Sequence, residues 1–547
     1  MRKTFIALMA ALLSSPAPAD TLISNINGIQ ASADGSIQHF GSVLIGDDGR
    51  VKQVFANRTP RLSRFDHMIN GEGRTLLPGM IDGHGHVTDL GFAALRLDVT
   101  GTASLAELQQ RLKNYAAAHP DAKWILGFGW NQELWPEKRF PTAADLDAVS
   151  PDRPVVLERV DGHAYALNSA AMKAAGITAA TRSPRGGEIH DGVLVDAAKQ
   201  LADKVIPEPT DAENDRALAK AQEILLGFGV TGVGSMSTRV ADWQAFRRAG
   251  EAGRLNVRLM AYLAGTESMA AVPHPTGWLY GDHLRAAGIK LFADGALGSR
   301  GAWLKQPYAD MPNSRGLQFH SDAEMLALAD KAAAAGFQVA THAIGDAANA
   351  QVISVYEQLS KKYGANRRWR IEHFQIADPV DIPRLAPAGI IASMQPTHQT
   401  SDRLMAEARL GPNRLGGAYA WQTVLKIGGR LAFGTDFPVE SPNPFPGLAA
   451  GISRQDMSGR PPGGWIPSER LTFGQSLRAY TLGAAYAGFA EDKIGSLAPG
   501  KWADFIIVDR DPTAVDAQSL AKTQVLETWV AGKKVWSSAS GRPERGQ

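Results

Sequence analysis

Cysteine is missing altogether from the 547 residues of this chain. Disulfides and thiolate ligands are thereby excluded, and any metal has to be held by nitrogen and oxygen. An excess of one charge is missing too: 57 Lys and Arg stand against 55 Asp and Glu, and no long run carries a single sign. Nothing in that balance favours a nucleic acid or an anionic membrane as partner, so a small-molecule substrate is expected, with homodimerisation left open. Beyond the N-terminus no stretch reaches the roughly 18 apolar residues needed to span a bilayer. What the chain does have is the composition of a globular protein, 44% hydrophobic and 20% charged, with 56 Gly and 31 Pro marking many turns. Its length exceeds what one core usually serves, so one large domain with a smaller appended one is expected.

Residues 1–19 read as a signal peptide rather than as part of the fold. Arg2 and Lys3 precede an apolar stretch from Phe5 to Leu13, and Ala17-Pro18-Ala19 offers a small-x-small cleavage site before Asp20. The expected location is periplasmic or secreted. Without Arg2 and Lys3 the 57 basic residues fall to 55, equal to the acidic ones. The remainder divides by texture. Residues 20–77 carry short β segments at 21–23, 39–45 and 51–55 separated by Gly, Asp and Asn turns, and residues 489–547 resume that texture. The two ends are expected to join in one small β-sandwich.

From 78 to 488 the texture changes. Eight apolar, β-branched-rich segments, each followed by a polar residue or Gly, lie at 77–86, 228–236, 257–265, 288–295, 337–345, 369–375, 389–398 and 430–438. Helical patterns separate several of them, notably at 321–335 and 346–363. Such an alternation predicts an α/β fold, a (β/α)8 TIM barrel. The span is well above the ~250 residues typical of that fold. The surplus is assigned to an insertion at about 100–215, read as short helices interrupted by loops containing Pro136, Pro141, Pro151, Pro154, Pro207 and Pro209.

In such a barrel, side chains at the C-terminal ends of the strands converge on one site. The first segment ends in Gly83-His84-Gly85-His86, which puts two imidazoles on one side of a strand about 6.5–7 Å apart, close enough to share an ion. The fourth segment carries Lys290, the fifth His342, the sixth His373 and the eighth Asp436. Each has an ordinary alternative: His342 as a helix cap, His373 as a satisfied core histidine, Asp436 as a turn residue before Pro438, Lys290 as a snorkelling side chain. All of these would have to hold together at the strand ends of one barrel.

The motifs Pro78-Gly79-Met80-Ile81-Asp82-Gly83-His84-Gly85-His86, Ile289-Lys290-Leu291-Phe292-Ala293-Asp294-Gly295-Ala296-Leu297-Gly298-Ser299-Arg300, Thr341-His342-Ala343-Ile344-Gly345-Asp346, Ile371-Glu372-His373 and Gly434-Thr435-Asp436-Phe437-Pro438 occur in that order. Together they resemble the amidohydrolase superfamily, more closely the amidohydrolase 3 branch of imidase and N-substituted formamide deformylase-like enzymes. Residues 495–504 are similar to that family's return to its small β-sandwich, so the resemblance covers essentially the whole mature chain. Where the family usually ends its second strand in a Val-His-Asp type of sequence, this chain has Gly234-Ser235-Met236.

The resemblance implies a metal-dependent hydrolase. His84, His86 and Asp436 would hold one ion, His342 and His373 a second, with a carboxylated Lys290 bridging them. Zinc is the default and Mn or Fe the alternatives. Water between the ions would be the nucleophile, with Asp436 taking its proton and passing it to the leaving nitrogen. Within the insertion, Arg159-x-x-x-His163-x-x-x-x-Asn168 is similar to a family string near the substrate, implying that His163 and Arg159 polarise or anchor the scissile carbonyl; a buried loop stapled by His and Asn is the equal alternative. Trp130, Gln395 and His398 are further candidates for substrate contact. The function implied is hydrolysis of a non-peptide or modified C–N amide bond by an exported enzyme. A lactonase or dipeptidase on the same scaffold, or a metal-free binding protein, are the other readings.

Overall fold

The structure is a computed structural model that describes residues 20–60 and 65–538; the expected signal peptide at 1–19 lies outside the described residues. Every one of the eight apolar segments forms a strand: β1 (Met80–Gly85), β2 (Val230–Thr238), β3 (Arg258–Ala264), β4 (Leu284–Phe292), β5 (Gln338–Ala343), β6 (Arg370–His373), β7 (Ile391–Met394) and β8 (Arg430–Phe433). They stand in sequence order in one sheet, and each neighbouring pair is parallel. Parallel neighbours need a crossover, which the helices supply. The helix Asp322–Ala334 shows why the sequence folds this way. Ser321 and Glu324 form a capping box at its start, and Met325, Ala329, Ala332 and Ala333, spaced as one helical stripe, are buried on the barrel. This is the expected TIM barrel. Among the described residues no helix is long and apolar enough to cross a membrane.

The ladder stops between β8 and β1, and the seam is closed by residues just beyond it. Asp436 N donates to His84 O at 2.8 Å and His86 N to Phe437 O at 2.8 Å. Beneath them the Asp82 carboxylate accepts from His84 N at 3.0 Å, Thr435 N at 3.1 Å and Thr435 Oγ1 at 2.7 Å. Glycine is required here for close approach: a Cβ on Gly83 would lie 2.8 Å from Phe433 O, and one on Gly434 2.5 Å from His84 N.

Two further regions flank the barrel. Between β1 and β2 the chain builds a six-stranded sheet from Leu97–Asp98, Ile125–Trp130, Val155–Arg159, Ala164–Leu167, Gly187–His190 and Val193–Asp196, with its own apolar core. The expected short helices are present, among them Leu105–Ala118, Ala143–Asp147 and Ser169–Ala174, but they accompany a sheet that was not expected; the prolines lie in the loops. The chain ends share a second six-stranded sheet, in which Phe505–Val508 pairs antiparallel with Thr75–Pro78. A four-stranded sheet contains only N-terminal strands. The terminal sheet is tied to the barrel by a fully buried pair: Arg258, the first residue of β3, donates to Asp504 through Nε at 2.6 Å and Nη2 at 2.9 Å.

Candidate metal centre

The seam brings three expected ligands together. His84 lies within β1, and His86 stands just past its end, before the helix Val87–Leu95. Their ring centroids are 5.5 Å apart. Asp436 follows β8 in the left-handed region, φ 60°, a conformation that costs an aspartate on the order of 1–3 kcal/mol and turns its carboxylate over the histidines. Asp436 Oδ1 lies 3.0 Å from His86 Nε2 and 3.2 Å from His84 Nε2. The second of these is not a hydrogen bond, and His84 Nε2 is buried with no partner. Donor atoms about 2.1 Å from one tetrahedral ion are spaced roughly 3.4 Å apart. A buried ring nitrogen held close to that spacing from a carboxylate fits a divalent metal better than it fits a hydrogen-bonded core.

A second group gathers on the same carboxylate. His373 ends β6, also in the left-handed region (φ 75°), and with His398 and Asp436 it offers donor atoms all within 4.8 Å of one another. His398 sits in the first turn of the helix Pro396–Leu410, with Nε2 3.8 Å from Asp436 Oδ2 and no hydrogen bond. His398, expected as a substrate contact, therefore stands among the candidate ligands. His342, expected to share an ion with His373, has its ring centroid 4.5 Å from that of His373, while its Nε2 is 3.4 Å from Gly295 O.

Lys290 on β4 is 1% exposed, which excludes snorkelling; its amine makes no hydrogen bond or ion pair among the described residues and lies 5.0 Å from the centre of the Phe292 ring. Asp294, the nearest acid in sequence, instead accepts from Ile344 N, Gly345 N and Trp303 N at 2.8–3.0 Å. Burial pushes the Lys290 amine down to about 8, against the charges of Glu372 and Asp436. Burial also depresses His84, His342 and His373, and in each case the Lys290 ammonium adds to the effect.

Beneath the ligands runs a polar chain through the barrel interior. Gln338 Oε1 accepts from Tyr262 Oη at 2.7 Å, Arg370 Nη1 donates to Tyr262 Oη at 2.9 Å, Arg370 Nε donates to Glu372 Oε1 at 2.7 Å, and His84 Nδ1 donates to Glu372 Oε2 at 2.7 Å. Burial pushes the Glu372 carboxyl up, but the Arg370 guanidinium and the His84 bond outweigh it and hold Glu372 well below the usual carboxylate range. An ionised carboxylate on Nδ1 fixes the tautomer that leaves Nε2 with a lone pair toward a metal. Gln395 does the same for His373, accepting from Nδ1 at 3.0 Å.

The inserted sheet contributes His163, whose ring centroid is 5.4 Å from that of His342 and whose Nδ1 donates to Asp196 Oδ1 at 2.5 Å. Of the other two insertion residues, Arg159 reaches the loop after β4, where a Cβ on Gly298 would lie 3.5 Å from its Nη1, and Trp130 faces elsewhere. Trp130 is enclosed in the core of the sheet and donates to Leu157 O at 2.7 Å, so the expected substrate contact is corrected to a core role. Arg159 is engaged by Asp161, by Gln132 Oε1 at 3.0 Å and by Asn131 Oδ1 at 3.4 Å, which leaves it bracing the loop that carries His163.

Sequence reasoning did not assign roles to Glu372, Arg370, Asp82 or Asp196. For the first two a signal was present: two charged residues at period two, in a strand buried on both faces, have to pair inside the barrel.

The decisive comparison spans nearly the whole chain: the amidohydrolase family pattern matches residues 67–536. The chain belongs to the amidohydrolase family. It is 32% identical over 485 residues to the putative amidohydrolase YtcJ of Bacillus subtilis, covering 86% of this chain and 90% of that one. To the N-substituted formamide deformylase of Arthrobacter pascens it is 28% identical, over 85% of this chain and 89% of that one. A solved structure, an uncharacterized metal-dependent hydrolase from Pyrococcus horikoshii OT3, superposes with a TM-score of 0.75 at 28% identity, over 91% of this chain and 99% of that one. The chain is accordingly a metal-dependent hydrolase of the amidohydrolase superfamily, with its candidate metal-binding side chains on the barrel's C-terminal face.

Proposed function

We propose that this amidohydrolase is exported and opens a non-peptide or modified C–N amide bond, in the class of N-acyl and N-formyl compounds. The observation that carries the reading is the placement of Asp436, with one carboxylate oxygen beside His84 and His86 and the other toward His398. A divalent ion held by His84, His86 and Asp436, zinc by default and Mn or Fe as alternatives, supplies Lewis acidity to a water and to the scissile carbonyl. Asp436 takes a proton from the attacking water as oxygen adds to the carbonyl carbon, and delivers it to the nitrogen as the C–N bond breaks. Burial lowers the pKa of the His163 imidazole, but the Asp196 carboxylate outweighs it and raises it, so that a protonated Nε2 donates a hydrogen bond to the carbonyl oxygen or to the departing nitrogen. The similarity to an N-substituted formamide deformylase supports the choice of bond. A hydrolysis screen of metal-loaded protein against N-acyl amino acids, N-substituted formamides, lactones and dipeptides tests it. Turnover confined to lactones or dipeptides would overturn the proposed bond.

In the same proposal Lys290, once carboxylated, would help His342 and His373 to hold a second ion. A buried charged amine without a partner costs several kcal/mol, and a carbamate shared by two cations removes that cost. At the lowered pKa of about 8, roughly a quarter of Lys290 amines are neutral at pH 7.5, against about one in a thousand for an ordinary lysine, and only the neutral amine attacks CO2. Reconstitution of metal-free protein with metal and bicarbonate should therefore quicken as pH rises from 7 to 9. Lys290→Ala should lower the metal content from two ions to one or none, with partial rescue by short carboxylic acids. An unmodified amine in a metal-loaded crystal structure would leave a mononuclear enzyme.

A further inference from the structure

We propose that Asp196 is the positioning residue for His163, and that Gly295 and Gly301 of the barrel exist to seat it. The inserted sheet would then be an active-site component and not an ornament. This rests on the hydrolytic reading above, in which His163 meets the substrate.

The strands Ala164–Leu167 and Val193–Asp196 pair antiparallel with Ala164 opposite Val195. One step further on, Asp196 N donates to His163 O at 2.8 Å, so the two residues form the last rung of that ladder. Their side chains are joined as well: the 2.5 Å bond from His163 Nδ1 to Asp196 Oδ1 fixes the ring and leaves Nε2 as the nitrogen free to meet a substrate beside His342.

Ordinary structural reasons for an aspartate at 196 are lacking. Asp196 stands at the N-cap of the 3₁₀ turn Ala197–Lys199, yet its side chain makes no cap hydrogen bond. Its backbone adopts φ 48°, ψ −119°, which L residues rarely hold and which an asparagine or glycine would tolerate at least as well.

The second carboxylate oxygen shows what the barrel contributes. Asp196 Oδ2 is buried without a hydrogen-bond partner. A Cβ on Gly295 or on Gly301 would lie 2.7 Å from it. Neither glycine has a positive φ, so the backbone does not demand glycine at either position; the space does. The loop after β4 is thereby given a physical task, which is to admit the carboxylate that holds His163.

A double-mutant cycle tests the inference. Asp196→Asn and Asp196→Ala should each lower kcat by about tenfold or more with KM within about threefold of wild type, while metal content stays at the wild-type ratio. In a His163→Gln background the same substitutions should change kcat by less than about twofold, because their effect passes through the ring. Gly301→Ala should reproduce the Asp196→Ala defect. A readout independent of turnover comes from spectra of 15N-histidine-labelled protein. The His163 resonance, identified by its loss in His163→Gln, should report a protonated Nδ1 in wild type and should move in Asp196→Asn. Equal losses from Asp196→Ala in the two backgrounds, or an unmoved His163 resonance, would overturn the positioning role. Were no C–N substrate turned over by wild type, the reaction assignment would fall and the resonance alone would decide the role of Asp196.

Discussion

Asp436 has two oxygens and two sets of neighbours, and that asymmetry makes its substitution informative. Asp436→Asn keeps an oxygen that can ligate but cannot accept a proton, so metal content should largely persist while turnover falls about 10²- to 10⁴-fold. Turnover within threefold of wild type would remove Asp436 as the base. Glu372 offers the complementary experiment, because it touches the ligand and not the reacting atoms. Glu372→Gln leaves the Arg370 guanidinium buried without its counter-charge and weakens the hold on His84 Nδ1. Metal affinity, measured by chelator competition, should drop about 10- to 100-fold, and unchanged affinity would show that His84 needs no such support.

At the level of elements, the barrel strands were legible because parallel strands buried on both faces read as near-continuous apolar runs. The inserted sheet was not, since its strands are four to six residues long apart from the two-residue Leu97–Asp98, and the prolines around them masked the pattern. The site divides in the same way. Its candidate ligands announce themselves as His, Lys and Asp at strand ends, whereas His84 and Glu372 are 288 positions apart and nothing local pairs them. The Arg258–Asp504 pair is equally silent in sequence, with 246 positions between its members. Removing one member should be severe: Asp504→Ala strands a buried guanidinium, at a cost of roughly 3–5 kcal/mol. Thermal denaturation should show a clearly lower midpoint for Asp504→Ala than for the double variant Arg258→Met/Asp504→Leu, in which no charge is left unpaired. Equal midpoints would mean that the pair carries little of the attachment between barrel and terminal sheet.

For the molecule as a whole, export is the property most easily put to the test. Residues 1–19 should be removed, and N-terminal sequencing of protein from a periplasmic fraction should read from Asp20; an intact Met1 on cytosolic protein would refute it. The barrel seam has a consequence for the order of events during synthesis. The candidate ligand set is drawn from β1 and from the residues after it and after β8, so His86 leaves the ribosome 350 residues before Asp436, and His84 earlier still. A chain interrupted anywhere before residue 436 possesses two histidines and no carboxylate to complete the trio. His84, His86 and Asp436 shut the cylinder with backbone hydrogen bonds and are the same residues whose side chains would grip the ion. Metal capture by this trio would therefore mark a chain whose synthesis has passed residue 436.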